Sequence, residues 1–145
     1  MTQKENNYYR FTDHTADVAV ESEAETLADL FRLNYDALRE VLYGTGAIDD
    51  TGFHDELKIT LSEDTDEELI INFLNEMNFV INVKKLYCGD LTGISVENHR
   101  LSCSLKFQEN PENFNLKHEV KSVTHHGVYI SYENGSYKTK IVYDI

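Results

Sequence analysis

The segment Asp13-His14-Thr15-Ala16-Asp17 sets two carboxylates four positions apart in a stretch rich in turn formers. Carboxylates brought round a turn can converge on one cation, and their hard oxygens suit Mg²⁺, Ca²⁺ or Mn²⁺ better than zinc. His14 could add a nitrogen ligand for Mn²⁺ or Zn²⁺. The same aspartates could instead cap turns by accepting from nearby backbone N–H groups. A second source of oxygens is Val142-Tyr143-Asp144-Ile145, a strand-like ending with no polar tail. An apolar end implies a segment that is tied down. If it is held, the carboxylate of Ile145 joins the side chain of Asp144, and with Asp13 and Asp17 these would form a hard-metal cluster. The plainer alternative is a final strand with Asp144 facing water. A third segment runs from Lys117 to His126. Lys117 and Lys121 fall on one side of an expected strand, with His118, His125 and His126 nearby. This patch could contact a nucleotide or an acidic partner, and a histidine pair could bind a transition metal. Scattered polar residues on a strand face are the plainer account.

No other chemistry is written in the chain. It has no glycine-rich phosphate loop, no Gly-x-Ser-x-Gly elbow and no zinc-type Cys/His spacing. The two cysteines, Cys88 and Cys103, lack finger or redox spacing and read as buried, apolar-like strand residues.

The elements that must position these segments follow from periodicity. Strands are expected over Tyr8–Thr12 and about Asp17–Ser22, joined by the aspartate segment as a tight connection or bulge. Thr26 then caps a helix, with Asp29 three residues on, and Leu27, Leu30, Phe31, Leu38, Val41 and Leu42 share one face. Gly44 and Gly46 end it. Leu57–Leu61 reads as a strand. Thr65 and Glu68 match a capping box for a second helix, whose core stripe is Leu69, Ile70, Phe73, Leu74, Met77, Val80 and Ile81. Lys84 and Lys85 are expected in its last turn, the sign a helix C-terminus prefers. Strands over Leu91–Glu97 and Arg100–Gln108 flank the turn Asn98-His99, and Asn110 to Asn115 forms a loop around Pro111. Leu116–His125 and Val128–Tyr132 are further strands, and Asn134-Gly135 signals a type I′ hairpin into Tyr137–Tyr143. Strands gathered late around two amphipathic helices predict an α+β arrangement, with the helices packed on a mixed or antiparallel sheet.

The length of 145 residues suits one domain, spanning 1–145, able to fold without disulfides. Hydrophobic content of 41% is too high for a disordered chain. The net charge is −13 and uneven: residues 1–72 carry 18 acids and 5 bases, while residues 73–145 carry 8 of each. The acidic half should repel phosphate backbones, which argues against strong direct nucleic-acid binding, and should attract cations and basic protein surfaces. A solubility charge on a solvated face is the alternative. Residues 1–9 are polar, so no signal peptide is expected, and no apolar run approaches the ~20 residues of a membrane span. The cytoplasm is the expected compartment.

Taken together, the segments resemble the archease family. Tyr9-Arg10-Phe11 runs into Asp13-His14-Thr15-Ala16-Asp17. A helix follows, then the Leu69–Val83 helix, then Lys121-Ser122-Val123-Thr124-His125 and the ending Val142-Tyr143-Asp144-Ile145. The resemblance covers nearly the whole chain, and the first motif and the ending carry its specificity. His125-His126 stands where a tyrosine commonly follows the threonine, and Asn72-Phe73 where an Asn/Trp-like pair is frequent.

The resemblance implies an accessory protein and not an enzyme. Its partner would be an RtcB-type RNA ligase of tRNA splicing and RNA repair, which joins a 3′-phosphate or 2′,3′-cyclic phosphate end to a 5′-hydroxyl. That ligase first attaches GMP to its own histidine, using GTP and a metal such as Mn²⁺. The family member accelerates this guanylylation and permits multiple turnover. The resemblance also implies a divalent cation, calcium in the first instance with magnesium or manganese as alternatives. Its ligands would be Asp17, Asp144 and Ile145, with Asp13 as a neighbour. His14, Lys121 and His125 are candidates for partner or nucleotide contact. Two other readings stay open from the sequence. One is an acidic, chaperone-like interaction module that needs no metal. The other is a metal-dependent hydrolase using Asp13, Asp17 and His125, which would require an open coordination position that the sequence does not show.

Overall fold

Both helices begin where the sequence supplies a cap. In the computed structural model, which describes residues 7–13, 17–44, 53–109, 116–125 and 127–145, helix α1 spans Leu27–Tyr43 and the Thr26 hydroxyl accepts from the Asp29 N–H at 3.1 Å. Helix α2 spans Asp66–Asn82, and the Thr65 hydroxyl accepts from the Glu68 N–H at 3.0 Å. Each bond satisfies one of the N–H groups that a helix start leaves without a partner. Asp66, Glu67 and Glu68 add negative charge at the positive end of the α2 dipole.

The strands, in chain order, are β1 (Tyr8–Asp13), β2 (Asp17–Ala24), β3 (Asp55–Ser62), β4 (Leu86–Glu97), β5 (Arg100–Glu109), β6 (Ser122–Val123), β7 (Ile130–Glu133) and β8 (Ser136–Asp144). They form two sheets, and every pairing is antiparallel. One sheet runs β1-β2-β8-β6, with β7 also bonded to β8; the other runs β3-β5-β4. The expectation of an α+β fold with two amphipathic helices is met, with two sheets in place of one. The helices lie between them. Helix α1 touches β1, β2 and β8 on one side and β4 on the other, while α2 touches β6 on one side and β3 and β4 on the other. Burial on two sides explains why Leu69, Ile70 and Ile71 are consecutive and all fully buried, which a helix on a single sheet would not permit. One hydrophobic cluster joins both helices and both sheets. No described helix is long and apolar enough to cross a membrane.

Both hairpin turns form where the sequence marks them. Asn98 and His99 have φ of 54° and 59°, and Asn134 and Gly135 have 52° and 81°. Positive φ at both central residues is the type I′ requirement, met at least cost by Asn and Gly.

Four expectations need correction. Strand β4 starts at Leu86, five residues earlier than Leu91, because register shifts between Cys88 and Leu91 and between Thr92 and Ser95 break the alternation that would reveal it. Lys84 and Lys85 fall beyond α2: the Val83 and Lys84 N–H groups both close on the Phe79 carbonyl, and Lys85 turns the chain at φ 60°. The strand expected over Leu116–His125 shrinks to β6, so Lys117 and Lys121 do not share a strand face. Strand β7 starts at Ile130 and not Val128. The loop expected over Asn110–Asn115 lies outside the described residues.

Candidate functional site

Strands β2, β8 and β6 are neighbours, so the three segments of chemical interest lie side by side. In β2 and β8, Val20, Ser22, Thr139, Ile141 and Tyr143 are buried facing the helices. The alternate residues therefore face the other way and meet in cross-strand rows. Tyr8, Glu23 and Lys138 form one row, and Arg10, Glu21 and Lys140 the next. Arg10 Nε donates to Glu21 Oε1 at 2.8 Å. In both rows an acid faces a base. The row at the strand ends breaks the pattern: Asp17 stands opposite Asp144, and Asp144 stands opposite Ser122. Like charges directly opposite one another are destabilising, and a cation between them removes that cost.

The C-terminal strand is firmly held at this row. Tyr143 is fully buried and its hydroxyl donates to the Asn34 carbonyl at 3.4 Å. Burial, with a smaller contribution from Tyr9, pushes its phenol well above the ordinary range, so it stays a neutral donor. The Lys121 N–H donates to the Asp144 carbonyl at 2.7 Å, and the Thr124 N–H to Val142 at 3.1 Å. Lys121 and His125 are themselves exposed. Lys121 thus flanks Asp144, whereas His125 opens the next turn, where its carbonyl accepts from the Val128 N–H at 3.3 Å. Asp13 closes β1 with Val18 as its partner. His14 and His126 lie outside the described residues.

Two asparagines that sequence reasoning missed position this edge. Asn75 of α2 accepts from the Val123 N–H at 3.0 Å and donates to the Val123 carbonyl at 3.2 Å, so its amide mimics a neighbouring strand. Asn78 donates to the Val120 carbonyl at 2.9 Å. The Asn78 bond, with the Lys117 and Lys121 N–H groups donating to the Leu42 and Asp144 carbonyls, holds residues 116–121 in place of a strand ladder. The signal was legible: Asn72, Asn75, Asn78 and Asn82 recur at helical spacing among the apolar residues of the helix.

Beside Asp17 opens a cleft of about 440 Å³. Its lining includes Thr12, Asp17, Glu40, Lys117 and Ile145. The Tyr9 hydroxyl donates to Glu40 Oε1 at 2.7 Å. Burial, then this bond to an acid, raises the Tyr9 phenol well above its usual range. Among the described residues Thr12 Oγ1 is buried with no hydrogen-bond partner, a position in which a buried hydroxyl costs stability.

The donor chemistry here suits a hard cation. Two carboxylates, a terminal or main-chain oxygen at Ile145 and a buried threonine hydroxyl are oxygen ligands of the kind calcium and magnesium take. Among the described residues no group of three or more His, Cys, Asp or Glu side chains converges, so these side chains alone do not complete a cage. Neither cysteine contributes. Cys88 and Cys103 are buried free thiols, pushed up by burial to about 12 and about 11, and a thiol held protonated is a poor ligand.

This fold is that of a known class. Residues 9–145 match the family model of the Archease protein family (MTH1598/TM1083), and the chain belongs to that family. It is 26% identical over 139 residues to the protein archease of Pyrococcus furiosus, covering 92% of this chain and 95% of the relative. Two solved structures share the fold at 22% identity. The solution structure of Methanobacterium thermoautotrophicum protein 1598 superposes with a TM-score of 0.77, covering 94% of this chain and 98% of that one. The crystal structure of an archease, described as a possible chaperone, from Thermotoga maritima gives 0.63, covering 92% and 94%.

Proposed function

We propose that this protein binds a divalent cation at the Asp17–Asp144 edge and activates an RtcB-type RNA ligase by promoting its GTP-dependent guanylylation. Family membership supports the partner. The observation that carries the metal reading is the cross-strand pairing of Asp17 with Asp144, two acids directly opposed on strands where Glu21 and Glu23 each face a lysine. Asp17, Asp144 and Ile145 would hold the ion, with Asp13 next to it in the same hairpin. Calcium fits the all-oxygen donor set, and magnesium or manganese share it. A hard cation supplies positive charge that offsets phosphate charge during nucleotidyl transfer. The protein's own share is to hold the carboxylates on a rigid sheet: Tyr143 pins the strand from the core side, and Asn75 pins the neighbouring edge. Lys121, exposed beside Asp144, is placed to meet an anionic group of the ligase or its nucleotide.

The test is single-turnover transfer of GMP to the partner ligase, with and without this protein. Asp17→Ala and Asp144→Ala should lose the stimulation while circular dichroism stays that of the wild type. Variants that stimulate as fully as wild type would remove the metal from the mechanism.

A further inference from the structure

The cleft next to the carboxylate row has walls of two chemistries. Phe11, Val18, Val41 and Ile145 give an apolar lining, with Phe11 39% and Ile145 38% exposed. The end of the cleft is the last turn of α1, which contains no basic residue. The negative end of a helix dipole favours cations, yet here it meets Glu40, an acid oriented by Tyr9. Lys117 is the one lysine in the lining. Its N–H donates to the Leu42 carbonyl at 2.6 Å, and its methylene carbons lie over Gly44, within 3.5 to 3.9 Å of where a Cβ would stand. Hydrocarbon, not the ammonium, covers that part of the wall.

We propose that this cleft receives an arginine side chain from a protein partner. The methylene stem lies along the apolar wall, and the guanidinium meets the Glu40 carboxylate at the bare end of α1. A planar guanidinium forms paired hydrogen bonds with a carboxylate and stacks on an aromatic ring such as Phe11. The net charge of −13 favours the approach of a basic surface, and Asp17 and Glu40 bring two of the acids to this cleft. A phosphate entering the same space would meet Asp17, Glu40 and helix carbonyls of the wrong sign, with only Lys117 and His118 to oppose them among the described lining residues. The groups that hold the guanidinium, Glu40 and Phe11, are not among the cation's proposed ligands, although Asp17 and Ile145 line the same cleft.

The experiment is a titration of the isotopically labelled full chain with N-acetyl-arginine methylamide, followed by amide NMR, once in EDTA and once in calcium. Saturable shifts are expected at residues 40–44 and 117–118, with a dissociation constant on the order of millimolar for so small a probe. Chelation should leave them in place, so loss of the calcium response and loss of arginine binding are separate results. Glu40→Gln keeps an acceptor for Tyr9 and should weaken binding about tenfold, and the blocked norleucine analogue should bind more weakly than arginine. Absence of shifts at these amides, indifference to Glu40→Gln, or stronger shifts with GMP than with the arginine probe would each overturn the proposal.

Discussion

Asp144→Asn separates charge from shape at the opposed carboxylates, and the two charge states of the site predict opposite effects. Directly opposed residues hold their Cβ atoms ~5 Å apart, and a like-charged pair there costs a few tenths to ~1 kcal/mol. Asp144 is exposed, so a value near ~0.5 kcal/mol is appropriate for this pair. In a domain of this size ~1 kcal/mol moves the melting temperature by roughly 3–4 °C, so in EDTA the variant should melt ~1–2 °C above wild type. Calcium at ~100 times its dissociation constant stabilises the wild type by ~2.7 kcal/mol, or roughly 8–10 °C. The variant, one ligand short, should keep only a small part of that increment. The order of the two melting temperatures therefore reverses between EDTA and calcium, which differential scanning calorimetry reads directly. A variant that melts below wild type in both conditions, or gains as much from calcium, would refute the opposed-carboxylate argument.

Asn75→Ala removes both hydrogen bonds to Val123 and leaves that buried backbone without them. The expected loss is ~2 kcal/mol in urea unfolding, with faster hydrogen exchange at the Val123 amide; an unchanged midpoint would contradict the strand-mimic role. Alkaline pH tests the core. Burial holds the phenols of Tyr35, Tyr43 and Tyr143 well above the ordinary range. Below about pH 10 both folded and unfolded chains keep these protons. Above it the unfolded chain releases them and the folded chain does not, so stability falls by up to ~1.4 kcal/mol per pH unit per tyrosine. Urea midpoints should drop from about pH 10 upward, and flat midpoints with all phenols ionising in the native state would contradict it.

What the sequence could show was local. Thr26 and Thr65 sit at their helix starts, and Asn98-His99 and Asn134-Gly135 make their turns, because each depends on a few adjacent residues. Strand β4 hid its first half because two bulges scramble the period that identifies a strand. Residues 116–121 have strand-like composition, but their backbone is held by Asn78 of α2 and by the Leu42 and Asp144 carbonyls, a tertiary arrangement that composition does not carry. The second sheet was likewise unreadable, though the apolar run Leu69-Ile70-Ile71 hinted that α2 is covered on more than one side. At the site, the residue types were visible from spacing, whereas the pairing of Asp17 with Asp144 depends on a register between segments more than a hundred residues apart. The residue types left that meeting open beside a plain final strand, and family resemblance is what favoured it. The cleft, assembled from β1, β2, the end of α1 and residues 117–118, left no trace in local pattern.

Strand β8 is the hub of its sheet, bonded to β2, β6 and β7, and it follows every other described element. During synthesis the β1–β2 hairpin and both helices emerge with no central strand to close over them. Formation of that sheet must wait until residues 136–144 have been made. Pairing so distant in sequence is slow to nucleate, so the nascent chain exposes Val20 and its neighbours to chaperones until the final strand arrives. A cation bound at the carboxylate edge would then report on closure of the sheet, since Asp17 has no opposed partner until Asp144 is in place.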